Sequence, residues 1–160
     1  MRREYYYLDT NYLLAYLAHW NQDISKSFDI KDELFTANSV IKNLNTKKIK
    51  VPLPVLAELV MQLKEKNVNI GTFVLCGDFE IAMLKRNEIN NFIRALDLLI
   101  KDERLEVMDS IIVAHAISSS ECKGLLTFDK KLILSKTIKN VDQEINGSRG
   151  IIITDDPRKR

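Results

Sequence analysis

Cysteine and histidine are scarce in this chain of 160 residues, and their scarcity excludes two classes of site at the outset. The two cysteines, Cys76 and Cys122, stand far apart without CxxC spacing, so no disulfide framework is expected and a cytoplasmic setting is. Two histidines, His19 and His115, are too few to lead one to expect zinc. No apolar run is long enough to cross a bilayer. The opening residues pass straight into a strand-like run and lack a signal-peptide layout. Charge of one sign is lacking too: the formal net charge is +2, so no global field draws the chain to nucleic acid. Any phosphate binding has to come from local basic patches.

What remains is an ordinary globular balance, with 46% hydrophobic and 29% charged residues. At this length one domain is expected, over 1–155, with a core that needs no staples. A short basic tail, 156–160, follows it, and the run Asp-Asp-Pro-Arg-Lys-Arg over 155–160 is expected to fray. Neither repeats nor low-complexity linkers interrupt the pattern.

Apolar periodicity predicts a strand over 5–8, a helix over 11–20, a polar loop over 20–30 and a helix over 31–44. Next come a strand over 49–53 and a helix over 55–66, with Pro54 in its first turn. The stretch 67–77 is ambiguous, with breaks at Gly71 and Gly77. A strand over 79–84 and a helix over 87–100 follow. After a charged connection, a helix over 110–119 opens at Asp109. Gly124 ends a turn before a strand over 125–128, and a last strand covers 151–154. Three successive tyrosines, Tyr5, Tyr6 and Tyr7, suit a partly exposed strand edge that leaves their hydroxyls free.

Strands alternating with helices imply an α/β fold, a three-layer α/β/α sandwich with a mostly parallel central sheet. Such sheets bind ligands beyond the carboxyl ends of their strands. Four acids fall at or near that edge: Asp9 and Asp129 where strands end, Glu58 about a turn into a helix, and Asp109 at a helix start. Each has an ordinary role when taken singly. Asp9 suits an N-cap, Asp109 a helix N-terminus, Asp129 a turn, and Glu58 an exposed helical position. Together they form a carboxylate cluster that cannot stay ionised without a cation. A hard divalent ion, Mg²⁺ or Mn²⁺, suits such ligands.

Four segments carry a family resemblance. They are Leu8-Asp9-Thr10-Asn11-Tyr12-Leu13-Leu14, Pro54-Val55-Leu56-Ala57-Glu58-Leu59, Asp109-Ser110-Ile111-Ile112-Val113-Ala114-His115-Ala116, and Leu125-Leu126-Thr127-Phe128-Asp129-Lys130-Lys131-Leu132. In that order and approximate spacing the chain resembles the PIN-domain family, most closely its VapC-type toxin ribonucleases. The resemblance implies a metal-dependent endoribonuclease with Asp9, Glu58, Asp109 and Asp129 as its acidic quartet. It also implies Thr10, Asn11 and Thr127 as supporting polar residues, an RNA substrate, a small cognate antitoxin and a homodimer. Ser110 departs from the family, which more often has alanine there.

Phosphodiester hydrolysis gives these residues roles. Asp9, Asp109 and Asp129 are assigned to the metal, and Glu58 to the attacking water. Lys130 and Lys131 are placed to hold RNA phosphates. Asp97, Asp102, Glu103 and Glu106 read as a solvated face, with Glu106 within reach of Asp109's surroundings. His115 is assigned to packing or surface, His19 to a helix end, and Cys76 and Cys122 to burial as small hydrophobes. Two alternatives remain within the PIN resemblance: an RNA-processing nuclease outside any toxin pair, and a non-catalytic binding module. A dehalogenase-like phosphatase would also open on strand-Asp9-Thr10, but Asn11 stands where such enzymes usually carry a second aspartate.

Overall fold

Five short strands pair in parallel in the computed structural model, which describes residues 3–69 and 78–159. They are β1 (Tyr5–Leu8), β2 (Ile49–Pro52), β3 (Glu80–Ala82), β4 (Cys122–Leu126) and β5 (Ile152–Thr154). Their spatial order is β3-β2-β1-β4-β5. Tyr6 lies opposite Ile49 on one side and Gly124 on the other, and Tyr7 opposite Lys50 and Leu125. The sheet is wholly parallel among the described residues, where the sequence predicted a mostly parallel one.

Helices α1 (Thr10–Trp20), α2 (Gln22–Ser27) and α3 (Glu33–Leu44) link β1 to β2, and α4 (Leu53–Glu65) follows β2. Helices α5 (Ile89–Ile100) and α6 (Val107–Ser118) link β3 to β4, and α7 (Lys130–Ile133) and α8 (Lys136–Asn146) link β4 to β5. The chain moves one way across the sheet from β1 to β3 and the other way from β3 to β5. Right-handed crossovers therefore put α1–α4 on one face and α5–α8 on the other, giving three layers. The packing agrees: α1 contacts α3 and α4, and α5 contacts α6 and α8. The connections leave the parallel neighbours β1 and β4 toward opposite sides of the sheet, so their carboxyl ends flank the crevice where such sheets take ligands.

The core explains the element choices. Helix α6 is buried from Ile112 through Ser118, so its sequence is apolar almost all round instead of in one stripe. Tyr7, Leu8, Ile49, Leu125 and Leu126 fill the sheet's interior. Asn45, at φ 74°, closes α3 in the left-handed region that asparagine tolerates better than most residues.

Several expectations need correction. The three tyrosines lie in the central strand, not at an edge, and Tyr6 and Tyr7 are buried. The Tyr7 hydroxyl meets Ser119 Oγ and Glu121 Oε1 internally, so it needs no solvent. The expected loop over 20–30 contains α2, because Asn21 caps it by accepting from Ile24 N and Ile24 is fully buried. One apolar anchor was too little to register as a period. Helix α8 was not foreseen either; only Ile138, Val141 and Ile145 mark its inner side in an otherwise polar segment.

Gly124 is a strand residue, not the end of a turn. A Cβ there would lie 2.7 Å from the Ile152 carbonyl oxygen on β5. The tail does not fray over 155–158. Tyr12 Oη donates to Asp155 O at 2.7 Å, and Arg158 clasps the buried Asp156 and donates to Ser39 Oγ at 2.8 Å. Cys122 is buried as expected, while Cys76, Gly71 and Gly77 lie outside the described residues. Among the described residues no helix is long and apolar enough to cross a membrane.

Candidate functional site

Asp9 ends β1 and caps α1, so a strand and a helix fix its carboxylate from both sides. Its Oδ1 accepts from Thr10 N at 2.8 Å, and its backbone oxygen accepts from Tyr12 and Leu13. Its backbone N–H donates to Leu126 O at 2.9 Å, tying it to β4. Its other oxygen, Oδ2, accepts from Thr127 Oγ1 at 2.7 Å. Asn11 extends this link by accepting from Phe128 N at 3.1 Å and donating to Thr127 Oγ1 at 3.2 Å. Asp129 N also donates to Thr127 Oγ1, and Asp129 Oδ1 accepts from Lys131 N at 2.9 Å to start α7.

Asn11 and Thr127, read from sequence as supporting residues, thus stitch the ends of β1 and β4 together across the switch point. Thr10 differs. Its hydroxyl is buried and finds no partner among the described residues. A buried polar atom left in this way costs free energy unless something else completes it.

Asp9, Thr10, Asn11, Glu58, Asp109 and Asp129 all line one cleft of about 160 Å³. Glu58 reaches it from α4. Asp109 reaches it from the first turn of α6, which begins at Val107, two residues before the start expected from sequence. The four acids thus converge as predicted. Leu14, Gln62 and Glu106 line the same cleft. Glu106 had been read as solvated yet within Asp109's reach, and it is both exposed and lining. Gln62 was missed as a lining residue, although its spacing of four from Glu58 puts it on the same face of α4.

The electrostatics follow from this crowding. Burial pushes the Asp9 carboxyl up to about 7, and nearby Asp109 and Glu58 add to the rise, while the hydrogen bonds from Thr127 and Thr10 oppose it. Burial also raises Asp109 to about 6, reinforced by Asp129, Glu106 and Glu58 and opposed by Lys131. The cleft therefore carries like charges that would be relieved by a proton or a cation.

Its donors suit a hard divalent ion: every ionisable lining group is a carboxylate, and no cysteine or histidine is among them. The unpartnered Thr10 hydroxyl fits the same reading. Among the described residues, however, no group of three or more His, Cys, Asp or Glu side chains is arranged to hold an ion as it stands.

Residues outside the cleft take other roles. His115 is buried against Tyr7 and Phe92, away from the acids, in the packing role expected of it. Asp102 is not simply solvated. It accepts from Arg104 and from Thr137 Oγ1, and the Arg104 hydrogen bond leads in holding it well below the usual carboxylate range. Two larger hollows, of about 570 and 520 Å³, open beside Leu98 and Thr137. Of the charges lining them, Asp102 pairs with Arg104 within the hollow, and Glu144 and Lys101 pair with Arg94 and Asp97 outside it. No family model matches the chain, and no curated protein matches it.

Proposed function

We propose that this chain is a divalent-metal-dependent endoribonuclease of the PIN type, acting as the toxin of a toxin–antitoxin pair. The observation that carries the reading is the convergence of Asp9, Glu58, Asp109 and Asp129 on one cleft at the crevice between β1 and β4. The resemblance in the four sequence segments supplies the ribonuclease and toxin assignments.

In this reading Asp9, Asp109 and Asp129 hold Mg²⁺ or Mn²⁺. The bound ion supplies a more acidic water and relief of charge on the scissile phosphate. Glu58 accepts the proton of the attacking water as the new P–O bond forms and the bond to the leaving oxygen breaks. Thr127 and Asn11 keep Asp9 in place. Lys130 and Lys131, exposed at the start of α7 directly after Asp129, bind the flanking phosphates.

A cytoplasmic location, a small antitoxin and a homodimer belong to the same proposal. Val60, Met61, Ile81, Met83 and Ile93 leave apolar side chains exposed on α4, on and just after β3, and on α5 for such contacts.

The deciding experiment is cleavage of RNA by the purified protein with Mg²⁺ or Mn²⁺, against EDTA and the Asp9→Asn variant. Metal-dependent cleavage that disappears in the variant is the expected result. A folded protein that binds metal yet cuts no RNA would overturn the nuclease reading. Growth arrest on expression, relieved by Asp9→Asn, separates a toxin from a processing nuclease.

A further inference from the structure

Between Asp129 and Asp142 the chain carries four lysines, Lys130, Lys131, Lys136 and Lys139, and no acid. All four are exposed, and none forms a salt bridge among the described residues. The acids around α8 do not offset them. Asp102 is held by Arg104 and Thr137, Asp142 by Asn146 and the Ile151 N–H, and Glu144 by Arg94.

Helix stability does not call for these charges. Lys136 and Lys139 fall among the first four residues of α8, where the helix's own N–H groups are positive and an acid is favoured. The first turn of α8 holds no acid, and Ser135 already caps the helix by accepting from Ile138 N at 3.2 Å. Lysines set against the helix dipole in this way make a surface that suits an anionic partner.

The position of the surface favours one kind of partner. It starts at the cleft, because Asp129 lines the cleft and Lys130 and Lys131 follow directly. It continues toward β5, because Lys139 borders a small hollow with Ile151 and Ile153. The other helices that leave the cleft offer nothing comparable: α1 and α6 contain no lysine or arginine, and α4 none before Lys64. We infer that an RNA strand bound at the cleft runs off it to one side, over α7 and the first turns of α8, where Lys136 and Lys139 hold phosphates beyond those at Lys130 and Lys131. This course rests on the ribonuclease reading above and adds the path of its substrate.

The test is binding of a fluorescein-labelled single-stranded RNA of mixed sequence to the full chain, followed by anisotropy over a range of salt concentrations in EDTA, which keeps the RNA intact. Lys136→Gln, Lys139→Gln and the double variant keep α8, since glutamine matches lysine in helix propensity. Lys48→Gln, just ahead of β2 at the opposite edge of the sheet, is the control. The slope of log affinity against log salt should fall by about 0.7–1 in each single variant, by twice that in the double variant, and not at all in Lys48→Gln. A double variant with the wild-type slope, or an equal fall in Lys48→Gln, would overturn the proposal. So would binding of polyglutamate in place of RNA, lost in the double variant, which would assign the surface to an acidic protein segment. Cleavage by wild type with Mn²⁺ is measured separately. Cleavage alongside unchanged slopes removes the path alone, whereas lysine-dependent binding without cleavage removes the nuclease reading and keeps the surface.

Discussion

The Thr127 hydroxyl donates to Asp9 Oδ2 at 2.7 Å, joining positions 118 residues apart. It links the ends of the two strands that flank the crevice and holds the most buried acid of the cleft. Hydrogen bonds to an ionised group contribute about 1.5–3 kcal/mol, against about 0.5–1.5 for neutral pairs. Thr127→Val keeps the shape and removes the donor. It should destabilise the metal-free protein more at pH 8, where Asp9 is ionised, than at pH 5. Urea denaturation at the two pH values measures this, and equal losses would show that the bond does not serve the carboxylate.

Asp9 also sets a pH dependence. Its folded value is raised from 3.8 to about 7, so between those values the folded state binds the proton more tightly than the unfolded chain. Stability without divalent ions should therefore fall as pH rises through that window, by on the order of 2–4 kcal/mol from this group. Asp109, raised to about 6, adds to the same slope. Asp9→Asn should flatten the profile and leave the variant more stable than wild type above pH 7. A variant whose unfolding profile keeps the wild-type slope would remove Asp9 as its source.

Divalent ions should counter that loss. If the cleft binds Mn²⁺ only when folded, saturating it at about a hundred times the dissociation constant stabilises by about 2.7 kcal/mol. The melting temperature should rise with Mn²⁺ at pH 7.5, rise less at pH 5 where protons compete, and not move in Asp9→Asn. Calorimetric scans with and without EDTA test this.

Gly124 permits β4 and β5 to lie side by side. A methyl group there would meet the Ile152 carbonyl oxygen at 2.7 Å and the Tyr6 ring close by. Gly124→Ala should cost about 1–3 kcal/mol, as overpacking does. Gly150→Ala should also destabilise, because its methyl group would run into the Asp142 carboxylate that accepts from Ile151 N. Denaturant midpoints within error of wild type would refute both.

Lys130 and Lys131 are exposed and make no salt bridge among those described. If they hold RNA phosphates, Lys130→Ala and Lys131→Ala should each weaken RNA binding and reduce its salt slope by about one. Binding titrations over a range of salt concentrations read the slope, and an unchanged slope would assign the two lysines to solubility.

Much of the cleft was legible in sequence because its acids sit at element boundaries. Asp9 follows an apolar strand and precedes an apolar helix, and Asp129 follows another strand, so alternation alone places both at the carboxyl edge. Asn11 and Thr127 were legible only beside those acids. Gln62 and Glu106 were harder, because a polar side chain on a helix face carries no sign of what it faces. Helices α2 and α8 escaped for the complementary reason, that a short amphipathic helix with few apolar anchors resembles a loop.

The sequence by itself determined the α/β class, the order of most elements and the acids at their ends, because hydrophobic period and helix-start chemistry are local properties. Only the tertiary structure decided the strand order, and with it that β1 and β4 are neighbours whose carboxyl ends form the crevice. It also decided that Asp9 is buried while Glu106 is exposed, and that the Thr127 hydroxyl donates to the Asp9 carboxylate. Such facts depend on which distant segments meet, and contacts across a sheet leave no period in the chain.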